Sequence, residues 1–97
     1  MITMFFKTKY YLITAYSPSD AIYQEYVKLP GKTEHECLET AQQMAATFSN
    51  DLAHREYFQR GNTLDYSSYE DYLNECGWSV TQITKAKYIE AVDPIEA

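Results

Sequence analysis

Aromatic and β-branched side chains crowd residues 5–16, FFKTKYYLITAY, and predict a first strand. Ser17-Pro18-Ser19-Asp20 has the composition of a turn. Beyond it the chain from Ala21 to Leu29 alternates as a half-buried strand does. Tyr23, Val27 and Leu29 lie on one face, and Gln24, Tyr26 and Lys28 on the other. So short a connection predicts an antiparallel hairpin, which Pro30-Gly31 ends.

The apolar spacing then changes. Thr33 followed by Glu36 is the spacing of a capping box, in which the hydroxyl takes a free N–H of the first turn and the carboxylate reaches back. Leu38, Ala41, Ala45, Phe48 and Leu52 recur at intervals of three and four, one apolar stripe of a helix. That stripe predicts a helix running to about Arg60, with Leu38, Ala45, Phe48 and Leu52 facing the sheet. Gly61-Asn62 supplies a left-handed stop, and Ser49-Asn50-Asp51 is a point at which the helix could break in two. Ser67 with Glu70 repeats the capping spacing, Tyr69, Tyr72, Leu73 and Cys76 form the next stripe, and Gly77 ends it. Trp78 to about Val92 reads as a final strand, closed by Asp93-Pro94. The expected fold is α+β: a three-stranded antiparallel sheet with two helices packed on one face, in the order β-β-α-α-β. Ninety-seven residues form a single domain over 1–97, since half that length would be too short to bury a sufficient core.

Composition adds little to this until charge is mapped. Ten tyrosines against four Phe and one Trp suit both half-buried sheet faces and interaction surfaces. Lys7 and Lys9 interrupt the apolar N-terminus, which therefore reads neither as a signal peptide nor as a membrane span. Cys37 and Cys76 are isolated and have no paired spacing, as expected of a reducing compartment, so a cytoplasmic protein is expected.

Candidate chemistry is sparse. His35-Glu36-Cys37 holds three reactive side-chain types, yet consecutive helical residues point about 100° apart and do not converge on one atom. His54 is the only other histidine, and no second pair stands at metal-ligand spacing. Three scattered glycines form no phosphate-cradling loop. No catalytic residue, metal or cofactor is expected from this sequence.

Charge is the informative feature. Net charge is −6 and the pI is near 4.7, which argues against a general affinity for nucleic acid or anionic membrane. Nine acids lie between Glu34 and Glu75: Glu34, Glu36, Glu39, Asp51, Glu56, Asp65, Glu70, Asp71 and Glu75. Only Arg55 and Arg60 oppose them, so this helical segment carries −7, while six bases against five acids leave the rest at +1. Ordinary helices relieve such self-repulsion with lysines four residues away, and here the segment has none. With the apolar stripes turned to the sheet, the carboxylates are expected to face outward together. At a rise of ~1.5 Å per residue, acids three to five apart are separated by roughly 5–7 Å along the axis, close to the spacing of backbone phosphates. The expected partner is a protein with a basic nucleic-acid-binding surface, bound through these nine acids.

In this respect the chain resembles the small phage-encoded inhibitors, and most of all the anti-CRISPR proteins that imitate target DNA. The likeness rests on the Glu34–Glu39 and Glu70–Glu75 clusters, the small sheet, the many tyrosines and the missing catalytic motif. It implies a CRISPR surveillance complex as partner, no direct contact with nucleic acid, and stoichiometric inhibition without turnover. Two other readings stand beside it. Tyr57, Phe58, Tyr66, Tyr69 and Tyr72 could supply an aromatic interaction surface, as in an adaptor or an antitoxin-like antidote. Lys7, Lys9, Lys85 and Lys87 alternate with aromatics and, were the first and last strands neighbours, would make a basic stripe with Tyr11 or Tyr88 for binding nucleic acid.

Overall fold

The computed structural model describes residues 8–31, 33–60 and 66–93. Strand β1 (Lys9–Tyr16) and strand β2 (Ile22–Leu29) form the expected antiparallel hairpin, in register from Lys9 opposite Leu29 to Tyr16 opposite Ile22. The turn is closed by the Ser17 N–H donating to the Ala21 carbonyl at 3.0 Å and the Asp20 N–H donating to the Ser17 carbonyl at 3.1 Å. Asp20 takes a φ of 67°, a left-handed conformation that Asp tolerates better than most side chains. Strand β3 (Gly77–Ile83) pairs antiparallel with the other side of β1, giving the sheet order β2-β1-β3. The first strand is therefore central and the last two are edges.

Helix α1 (Glu34–Arg60) continues through Ser49-Asn50-Asp51 without a break, and the proposed stop at Gly61-Asn62 lies outside the described residues. Its start is the capping box read from the sequence. The Glu36 N–H donates to Thr33 Oγ1 at 3.2 Å, and the Thr33 hydroxyl donates to Glu36 Oε1 at 3.2 Å. The buried stripe is turned from the one expected. Cys37, Ala41, Ala45, Ser49, Leu52 and Ala53 are buried, whereas Leu38 is 38% exposed and Phe48 only half-buried. Small residues let the helix axis approach the sheet closely, so the larger Leu38 and Phe48 are displaced to the flanks. Tyr11 and Ile13 from β1, Val27 from β2, and Cys37, Ala41 and Ala45 from α1 form the core.

Helix α2 (Tyr69–Asn74) packs beside α1. Its N-cap is Ser68, one residue later than the spacing suggested, with Ser68 Oγ accepting from the Asp71 N–H at 3.2 Å. Ser67 instead donates its hydroxyl to the Asp71 carboxylate. Helix α2 ends at Asn74 with Glu75 as its C-cap, so Gly77 does not end it but opens β3, where the Tyr16 ring from the paired strand lies in the place a side chain at position 77 would take.

The final strand expected to about Val92 stops at Ile83. Helix α3 (Lys85–Val92) follows, so the order is β-β-α-α-β-α. Thr84 is its N-cap, accepting from the Lys87 N–H at 3.1 Å. Within KAKYIEAV the good helix formers Ala, Lys and Glu outweigh the β-branched Ile89 and Val92. The helix folds back over the sheet face opposite α1, near β1 and β2, with the Tyr88 ring 5.0 Å from that of Tyr10. The two-helices-on-one-face arrangement is thus replaced by helices on both. No helix among the described residues is long and apolar enough to cross a membrane.

Two buried phenols have opposite surroundings, which yields a paired prediction. The Tyr72 hydroxyl donates to Ser19 Oγ at 3.1 Å, tying α2 to the hairpin turn. Tyr11 is 1% exposed and its hydroxyl meets no partner among the described residues. Tyr72→Phe is expected to destabilise by about 1 kcal/mol, the usual net value of one such bond. Tyr11→Phe is expected to leave the melting temperature unchanged or raise it, since a desolvated hydroxyl is removed with no bond lost. Parallel melting curves of the two variants check this, and equal losses would mean that Tyr11 is satisfied.

Candidate partner-binding surface

The acids singled out from the sequence are set out along α1 and α2, and seven of the nine are exposed: Glu34, Glu36, Glu39, Asp51, Glu70, Asp71 and Glu75. Glu56 is half-buried and accepts a hydrogen bond from the Ser19 hydroxyl at 3.2 Å, which holds the hairpin turn to α1. Asp65 lies outside the described residues. The expected single outward sheet of carboxylates is not what the helix geometry produces. At about 100° per residue Glu34 and Glu36 project from nearly opposite sides of α1, while Glu36 and Glu39 diverge by about 60°. From Glu34 to Glu56 the acids span about 33 Å of helix.

Two groups result. Glu34, Glu36 and Glu39 occupy the first turns of α1, where the positive end of a long helix favours carboxylates. His35 Nε2 lies 3.5 Å from the Glu39 carboxylate, one turn further along α1. The second group gathers round α2. Glu70 and Asp71 stand in its first turn, and Glu75 follows its end and accepts the Tyr66 hydroxyl. That bond pushes the Tyr66 phenol up to about 12, because a phenolate beside a carboxylate would lose the bond and meet like charge. Asp51 comes from α1 to the same neighbourhood. The phenol of Tyr69 is raised first by burial and further by Cys76 and Asp51.

An aromatic cluster underlies this second group. Tyr57 lies 5.4 Å from Tyr69 and 5.6 Å from Tyr72, and Phe58 lies 4.6 Å from His54 and 5.5 Å from Tyr69. Most of these rings close the α1–α2 contact, but Phe58 remains 63% exposed. The residues considered for chemistry stay apart. Cys37 is buried with its thiol 4.0 Å from the Pro30 carbonyl, and burial, then Glu75, raises the Cys76 thiol, the wrong direction for a nucleophile. No cluster of metal-ligating side chains occurs among the described residues.

The lysines take an arrangement that the strand reading did not anticipate. Strands β1 and β3 are neighbours, but Lys85 and Lys87 stand on α3 and Tyr11 is buried, so among the described residues no such stripe runs across a sheet face. Lys9 and Lys85 line one open groove with Tyr10 and Ile83, and Lys87 lines another with Leu12 and Thr81. Lys7 lies outside the described residues. Ile22, 67% exposed, and the uncharged edge strand β3 were missed as surface features. Exposure of a strand's face or edge depends on the sheet order, which local pattern does not carry. Compared with known proteins, the chain matches no family model, no curated protein and no solved structure.

Proposed function

We propose that this chain is a non-catalytic inhibitor whose acidic helices occupy the basic nucleic-acid-binding surface of a host protein complex, in the manner of a DNA-mimic anti-CRISPR protein. The observation that supports it most is the exposure of seven carboxylates, six on two helices that carry no lysine and Glu75 at the end of the second. The α2 group is the better placed of the two for contact. Glu70, Asp71 and Glu75 fall within six residues and are joined by Asp51, over a packed aromatic base that holds them in place. Such a surface gains from the long-range attraction of a Lys/Arg-lined channel and needs no chemistry of its own.

The test is binding to a CRISPR surveillance complex over a range of salt, with and without its target DNA. Affinity is expected to fall as salt rises, since exposed charges are screened beyond a Debye length of ~8–10 Å near physiological ionic strength. Prior occupation by DNA is expected to block the protein. Simultaneous binding of both at one site would end the mimic reading. A salt-insensitive complex would favour the second reading, an adaptor or antidote docking through an aromatic surface, for which Phe58 is the exposed candidate.

A further inference from the structure

The two edges of the sheet are built differently. Strand β2 has Glu25 and Lys28 within it and Pro30 directly after it, the features by which edge strands avoid pairing with other chains. Strand β3, GWSVTQI, has seven residues with no charge and no proline. One side pairs with β1, and no described strand pairs with the other. Among the described residues nothing strand-like covers this edge, since α3 turns back over the sheet towards β1 and β2. Trp78, Ser79, Thr81 and Gln82 are all exposed along it.

From this edge we infer that two copies of the chain pair through β3, antiparallel about a two-fold axis at Val80, to form one six-stranded sheet. A second copy fits because the surface is self-complementary. Centring on Val80 sets Gly77 opposite Ile83 of the second copy, Trp78 opposite Gln82 and Ser79 opposite Thr81, so every residue of the strand is paired. Directly opposed residues share a face, which follows the register with β1. Trp78, Val80 and Gln82 fall on the α1 side, as Ile13 opposite Val80 shows, and Ser79, Thr81 and Ile83 on the other. Two Trp78 rings, each 40% exposed, then flank the central Val80 pair. Strand β3 is also the one of the three described strands with no charged residue of its own to oppose an identical strand. One strand pair buries little area, so the dimer belongs to the weak, transient class.

Sedimentation of the full chain over a wide concentration range tests this, with two designed variants. In Ser79→Lys/Thr81→Lys each lysine faces a lysine of the second copy, and in Ser79→Glu/Thr81→Glu each acid faces an acid. Both positions are exposed, and melting curves verify that the variants remain folded. Wild type is expected to pass from monomer to dimer in the micromolar-to-millimolar range. Each variant alone is expected to associate at least roughly tenfold more weakly, from two like-charge cross-strand pairs. An equimolar mixture of the two is expected to recover the dimer. Wild type that stays monomeric at millimolar concentration overturns the inference and leaves the edge to a strand from another protein. Variants that dimerise like wild type, or a mixture that does not recover, place the contact elsewhere and overturn it equally.

Discussion

Tyr72→Ala is expected to destabilise the fold by about 3–5 kcal/mol, the cost of emptying a fully buried aromatic site. For a chain of 97 residues that is a large share of the whole, since domains of this size are stable by about 5–15 kcal/mol. Tyr72 is 0% exposed, and its ring lies 5.6 Å from Tyr57 and 5.2 Å from Tyr66. Its hydroxyl reaches Ser19 in the hairpin turn, so one side chain joins α2, the end of α1 and the β1–β2 turn. The same turn is held a second time by Ser19 donating to Glu56, and a cavity at position 72 therefore loosens both attachments. Phe48→Ala is expected to cost less. Phe48 is half-buried on the flank of α1 with its ring 4.8 Å from Tyr23, so its removal opens a notch to solvent instead of a closed void. Denaturant melts of the two variants decide between them. Equal losses would mean that the α1 flank is as closely packed as the α1–α2 contact.

Reversing Glu70, Asp71 and Glu75 to lysine is expected to cost several kcal/mol of affinity for a basic partner, a factor of ten for each ~1.4 kcal/mol. All three are exposed and the charge on α2 changes by six, so the association rate falls as steering is reversed, and dissociation quickens where a carboxylate is desolvated in the complex. Some folding stability is lost as well. Asp71 is held by Ser67 and Glu75 by Tyr66, and two acids leave the first turn of α2. Reversing Glu34, Glu36 and Glu39 makes the matched comparison at the other group. It also removes the Glu36 half of the capping box and the His35–Glu39 pair. Circular dichroism separates folding losses from binding losses, and binding kinetics on the folded variants reads the rest. A smaller loss from the α2 reversal than from the α1 reversal would move the contact to the start of α1. Equal, small losses would reduce the acids to general electrostatics.

The hairpin, the start of α1 and the place of α2 were legible because each is fixed by neighbours in the chain. Ser17-Pro18-Ser19-Asp20 turns, Thr33 and Glu36 cap one another, and alternation from Ala21 to Leu29 sets one face of β2. The exposure of most helical acids was also legible, since carboxylates without cations stay in water. Their grouping was not. Whether Asp51 meets the acids of α2 depends on the rotation of α1 and on where α2 docks, and that rotation differs from the expected one, with Cys37 in the core and Leu38 at the surface. Choosing helix for Lys85–Val92 likewise lay beyond the local pattern. Tyr88, Ile89 and Val92 suit a strand or a helix, and the decision follows from Thr84 capping and from the Tyr10 ring that Tyr88 meets across the sheet. The sheet order β2-β1-β3 settled last what the surface offers. By putting β1 in the centre it buried Tyr11 and left the uncharged β3 as an edge, because a strand's neighbours are chosen by long-range burial and not by its own residues.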